Sequence, residues 1–138
     1  MRYFEWTSGI ELGHIEIDRQ HRQMLLLGEE LAESQAKPER HQSNAIQLQA
    51  LIDFAGEHFA FEESLMHSTA YPGANAHASV HTLLLADLRR FFSRMQQGLH
   101  SDHAGLISFL WQWIVLHVGS EDRDFVIWLR SHAPNGGK

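Results

Sequence analysis

With 138 residues and a formal charge of −6, the chain has the length of one domain and no basic footprint for nucleic acid. It contains no cysteine, which excludes disulfides, thiolate nucleophiles, cysteine-held iron-sulfur clusters and covalently attached haem, so any metal must be held by nitrogen and oxygen. Eleven histidines are several times the usual share, and that excess needs a cause.

The opening run Met1-Arg2-Tyr3-Phe4-Glu5-Trp6 lacks the apolar core of a signal peptide, and apolar runs such as Met24 to Leu27 are too short to span a bilayer. A cytoplasmic protein with no membrane partner is expected. Residues 1–17 read as an N-terminal arm packed through Phe4, Trp6 and Ile10. A first helix follows from about Arg19 to Ala36, with Asp18 as N-cap, a stripe of Ile17, His21, Met24, Leu25 and Leu31, and Pro38 closing it. The second, from about His41 to Met66, carries Leu48, Ile52, Ala55, Phe59, Glu62 and Met66 on one side, and Tyr71-Pro72-Gly73 supplies the next turn. A third, from about Asn75 to Gln97, places His77, Val80, His81, Leu84, Leu88, Phe91 and Met95 inward before Gly98 ends the pattern. The fourth spans about Asp102 to Ser131, and residues 132–138 form a tail.

No strand-like alternation and no solenoid repeat is visible, so the chain reads as all-α. Breaks this short join antiparallel neighbours. The expected architecture is an up-down-up-down four-helix bundle with an N-terminal arm, one domain over residues 1–138.

The chemistry-bearing residues sit at helical spacing. His58 and Glu62 are four apart, as are His77 and His81, so each pair shares one helix face about one turn apart. His117 precedes Asp122 by five, which on a regular helix rotates the acid roughly 140° away. Either a π-type turn widens the fourth helix there, with Gly119 making irregularity cheap, or the two side chains approach from opposite flanks. Counting outward from the loops near Pro38, Pro72 and Ser101 puts His21 level with His58, Glu62 with His81 and His81 with His117, each to within roughly a turn. One layer of the bundle can hold all seven.

Seven donors over-supply a single ion. Two carboxylates among five imidazoles suit a pair of borderline ions, since carboxylates bridge and neutral imidazoles terminate. Zinc prefers four ligands, and calcium and magnesium prefer oxygen, which leaves iron first and manganese second.

These residues resemble the hemerythrins, and among them the bacterial hemerythrins. The resemblance rests on Ile17-Asp18-Arg19-Gln20-His21, on His58-Phe59-Ala60-Phe61-Glu62-Glu63, on Tyr71-Pro72 followed by His77 and His81, and on Trp113-Ile114-Val115-Leu116-His117 with Asp122. It runs from about Trp6 to Phe125. It implies two iron ions in an oxo- or hydroxo- and carboxylate-bridged centre. One iron takes His77, His81 and His117, the other His21 and His58, with Glu62 and Asp122 bridging. The second iron then keeps an open position for reversible binding of dioxygen, and azide, nitric oxide and similar small molecules are further ligands. Position on the bundle and the resemblance together make Met24, Phe59, Trp113 and Ile114 the walls of an apolar ligand pocket, with Gly119 leaving free volume beside His117. No general acid or base stands out among them. Phe125 stands where many relatives carry tyrosine.

The remaining histidines, His14, His41, His67, His100, His103 and His132, fall at element ends or in loops and read as ordinary surface or hydrogen-bonded residues. Glu63, rotated roughly 100° from Glu62, reads as a solvated charge. The leading function is oxygen storage, delivery or sensing by a binding protein. The alternative is a di-iron redox enzyme, an oxidase or peroxidase, or a nitric-oxide- or iron-handling protein using the same site. The paired Glu-x-x-His motifs of ferritin-like di-iron enzymes are missing, because here the histidines precede the acids.

Overall fold

A computed structural model describes residues 10–35, 41–97 and 103–132. The expectations for Phe4, Trp6, Pro38, Gly98, His100, Ser101 and the tail fall outside them. Among the described residues four helices run in order: α1 (Ile15–Gln35), α2 (His41–Ser68), α3 (Ala74–Gln96) and a composite α4 over residues 103–132. Among the described residues there is no strand, and no helix is long and apolar enough to cross a membrane. Helix α1 packs against α2 and α4, and α2 against α3, as short connections between antiparallel neighbours require.

Helix α1 begins four residues before the sequence suggested, and a different residue caps it. His14 stands at the N-cap, its Nδ1 accepting the Ile17 N–H at 3.2 Å while its carbonyl accepts the Asp18 N–H at 2.8 Å. Asp18 lies inside the helix. Its carboxylate instead accepts the backbone N–H groups of Leu12 and Gly13 at 2.9 and 3.0 Å, which ties the preceding segment to the bundle. Ile10 and Leu12 are buried there, so the part of the arm that is described does pack on the core. The expected stripe of Ile17, His21, Met24, Leu25 and Leu31 is buried as a set.

Helix α2 ends in a Schellman motif. The Ala70 N–H reaches the His67 carbonyl and the Tyr71 N–H reaches the Met66 carbonyl, with Ala70 at φ 58°. The chain then turns through Tyr71-Pro72-Gly73 into α3. On α3 only His77, His81 and Leu88 of the expected inward set are fully buried, while Val80, Leu84, Phe91 and Met95 are half-buried.

Helix α4 is α-helical over His103–Trp111 and again over Arg123–His132, and between them two π turns, Gln112–Leu116 and Val118–Asp122, flank His117. Their i→i+5 hydrogen bonding accommodates extra residues per turn and keeps one face inward. Leu106, Leu110, Trp113, Ile114, His117, Val118, Asp122, Phe125, Val126 and Leu129 are accordingly all buried.

Candidate metal centre

The five imidazoles and two carboxylates picked out by spacing meet in one buried layer, none of them more than 6% exposed. They form two overlapping donor groups. Glu62, His77, His81, His117 and Asp122 can offer one atom each within 4.8 Å of one another, and so can His21, His58, Glu62 and Asp122. Glu62 and Asp122 belong to both. Glu62 Oε1 lies 3.1 Å from His81 Nε2, and Glu62 Oε2 lies 3.1 Å from His58 Nε2. Asp122 Oδ1 lies 2.8 Å from His77 Nε2 and 3.1 Å from His117 Nε2, and its Oδ2 lies 2.9 Å from His21 Nε2. Each carboxylate therefore faces one group with one oxygen and the other group with its second.

The outward ring nitrogens decide what these inward atoms are. His81 Nδ1–H donates to Glu63 Oε2 at 2.8 Å, His117 Nδ1–H to Glu121 Oε1 at 2.8 Å, and His58 Nδ1–H to Gln20 Oε1 at 2.7 Å. That leaves an Nε2 lone pair pointing into the layer on each neutral ring. Nε2 of His77, His81 and His117 and all four oxygens of Glu62 and Asp122 are buried without a hydrogen-bond partner. Buried acceptors left so cost about 1–3 kcal/mol each. Lone pairs crowded at this distance call for cations between them, and nitrogen and carboxylate donors of this number fit a pair of borderline ions such as iron.

If protons fill the centre instead of metal, the carboxylates hold them on the rings. Burial alone would depress His21 and His77, but Asp122 and Glu62 outweigh it and raise them to about 9 and about 10. His117 is raised against its burial by Asp122 in the same way. Burial pushes both carboxyls up, and the Glu62 charge adds to that push on Asp122; the neighbouring imidazoles nonetheless hold both below the usual carboxylate range.

Around the layer, Phe59 stacks on His81 with ring centroids 4.0 Å apart and lies 6.0 Å from both Trp113 and His117. Trp113 is fixed by donation from its Nε1–H to the Leu84 carbonyl at 2.7 Å. Met24 and Ile114 are buried in the same core. Gly119 does not line this space. It is exposed, and a Cβ added there would meet no atom within 4 Å, because two positions beyond the inward His117 the helix has turned roughly 200°. Phe125 is fully buried between His77, at 6.4 Å, and Tyr71, at 4.9 Å.

Sequence reasoning missed Gln20 and Glu121 and misread Glu63, which is a hydrogen-bond partner of His81 and not merely a solvated charge. A signal was present. Each is a long polar side chain immediately beside a donor, and Glu121 also lies four residues after His117. His67 and His132 are exposed; His132 stacks on Trp128 at 4.8 Å.

Known proteins share the sequence and fold of this chain. The family model described as the hemerythrin HHE cation binding domain matches residues 13–129. A bacteriohemerythrin of Pseudomonas aeruginosa is 29% identical over 128 residues, covering 91% of this chain and 81% of its own. A bacteriohemerythrin of Stenotrophomonas maltophilia is 28% identical over 133 residues, covering 96% and 85%. A hemerythrin-like protein of Naegleria fowleri is 26% identical over 122 residues, covering 88% and 90%. In fold, the crystal structure of a wild-type hemerythrin superposes with a TM-score of 0.80 at 23% identity over 88% of this chain and 94% of its own. A point mutant of hemerythrin reaches 0.84 at 22% identity over the whole of both chains.

Proposed function

Because the chain belongs to the hemerythrin family, whose members bind oxygen at non-haem iron, we propose that it is a di-iron protein that binds dioxygen reversibly. In this reading His77, His81 and His117 hold one iron, His21 and His58 the other, and Glu62 and Asp122 bridge them. The observation that carries it is the membership of Glu62 and Asp122 in both donor groups, each offering one oxygen to either side. The two positions then receive three and two imidazoles, so the His21 and His58 side keeps room for a small ligand.

Iron in such a centre supplies a ferrous pair able to give electrons to dioxygen and recover them on its release. The chain's own part is to hold and shield. Phe59, stacked on His81 and close to His117 and Trp113, gives the layer an apolar wall, and Met24 and Ile114 belong to the same buried core, which limits entry of water and loss of a charged product.

A visible spectrum of iron-loaded protein, recorded without oxygen, in air and again after deoxygenation, tests the reading. Return of the first spectrum supports reversible binding. A one-way change with the deoxygenated form unrecovered would overturn it in favour of a redox enzyme.

A further inference from the structure

The outward hydrogen bonds of the imidazoles are unequal across the two donor groups. On the three-histidine side, His81 and His117 each donate Nδ1–H to a carboxylate, Glu63 and Glu121, at 2.8 Å. On the two-histidine side, His58 donates to the neutral amide oxygen of Gln20 at 2.7 Å, and His21 Nδ1 is buried with no hydrogen-bond partner. The amide cannot be turned round without loss. Gln20 Nε2–H donates to Glu16 Oε2 at 2.7 Å, and Glu16 is held by Arg19 at 2.6 Å, so Gln20 must present its oxygen to His58. Glu121 is likewise steadied, with the Ser120 hydroxyl 2.5 Å from its other oxygen.

A ring N–H bonded to a carboxylate makes a charge-assisted hydrogen bond and leaves the opposite nitrogen a stronger donor; a neutral amide does this less. A stronger donor set favours the higher-charged ion. Water reaches both carboxylates, whose side chains are 36% and 40% exposed, and this damps the effect without removing it.

We propose that Glu63 and Glu121 are positioning residues that make the three-histidine iron the easier of the two to oxidise, while the Gln20 amide keeps the two-histidine iron ferrous longer. This rests on the di-iron reading above. The asymmetry spreads the two one-electron oxidations of the centre apart, and it leaves the iron with the free position as the last to lose its electron.

The test is potentiometric titration of iron-loaded protein with ferricyanide and dithionite, after iron content and helicity are measured. Glu63→Gln and Glu121→Gln keep an oxygen for the Nδ1–H and remove only the charge. Each should retain iron and raise the first midpoint potential, by up to about tenfold in ferric over ferrous preference, or about 59 mV for one electron. The double variant should draw the two potentials together. Gln20→Glu should also draw them together, by lowering the second potential. A merely structural role would change iron content and leave the spacing of the potentials unmoved. Variants with a full complement of iron and unshifted potentials would overturn the inference while leaving the di-iron reading standing. Wild-type protein holding one iron per chain would instead overturn that reading.

Discussion

His117 Nε2 stands 3.1 Å from Asp122 Oδ1 although the two are five residues apart on one helix. A regular α-helix would set them roughly 140° apart, and the π turn over Val118–Asp122 removes that offset. The turn contains Gly119, exposed and with open space where its Cβ would be. Gly119→Ala should therefore gain about 0.5–1 kcal/mol of stability, the usual cost of glycine inside a helix, with iron content unchanged. Denaturant unfolding beside iron analysis checks this. Loss of both stability and iron would mean that the π turn depends on the glycine itself.

Glu62 and Asp122 are the two residues shared by both donor groups. Asp122→Asn and Glu62→Gln keep volume while removing a charge and an oxygen that serve both donor groups. Each variant should remain helical by circular dichroism and lose most of its bound iron. Retention of two irons by either variant would remove that residue from the bridge.

The legible parts of this protein were those written in helical period. His58 with Glu62 and His77 with His81 lie one turn apart, so their convergence needed only the bundle. Asp122 was harder, because its spacing allowed either a π turn or an approach from the opposite flank, and only tertiary packing decides between them. Glu63 was obscured by reading its contacts from the angle of its Cα alone, and Gln20 and Glu121 stand beside donors without sharing their face. Their side chains are long enough to reach a ring edge beside the face they leave. The start of α1 was misplaced because Asp18 has the chemistry of an N-cap, whereas His14, a less common cap, fills that position and frees Asp18 to bind the segment before it.

Ala70 occupies the left-handed position of the Schellman motif that ends α2, a conformation that costs a residue with a Cβ about 1–2 kcal/mol. Ala70→Gly relieves that strain and gives back roughly 0.4–1 kcal/mol through the freer unfolded chain. A net gain of about 0.5–1 kcal/mol should remain, with the absorption spectrum of the iron-loaded protein unaltered. A lower unfolding midpoint in urea would contradict the strain assigned to this turn.

Protonation of the metal-free centre makes its stability depend on pH in a defined direction. His21 and His77 are raised in the folded chain to about 9 and about 10, against 6.5 for the free side chain. A group raised on folding contributes its full stabilisation below its unfolded value and loses it as pH climbs through the folded one. Glu62 and Asp122 are depressed, so their contribution is complete above their unfolded values of 4.5 and 3.8 and is lost only as pH falls through the depressed ones. Chelator-stripped protein should thus be most stable between about pH 5 and 6.5 and should weaken steadily towards pH 10. In loaded protein the same nitrogens bind metal in place of protons, so the alkaline decline should largely vanish, and metal uptake at neutral pH should release protons. Unfolding midpoints of stripped and loaded protein at pH 6 and 9, with proton release followed by a pH indicator during zinc or ferrous loading, measure both effects. A stripped protein that becomes more stable from pH 6 to 9 would show that the imidazoles of this layer are not held protonated by Glu62 and Asp122.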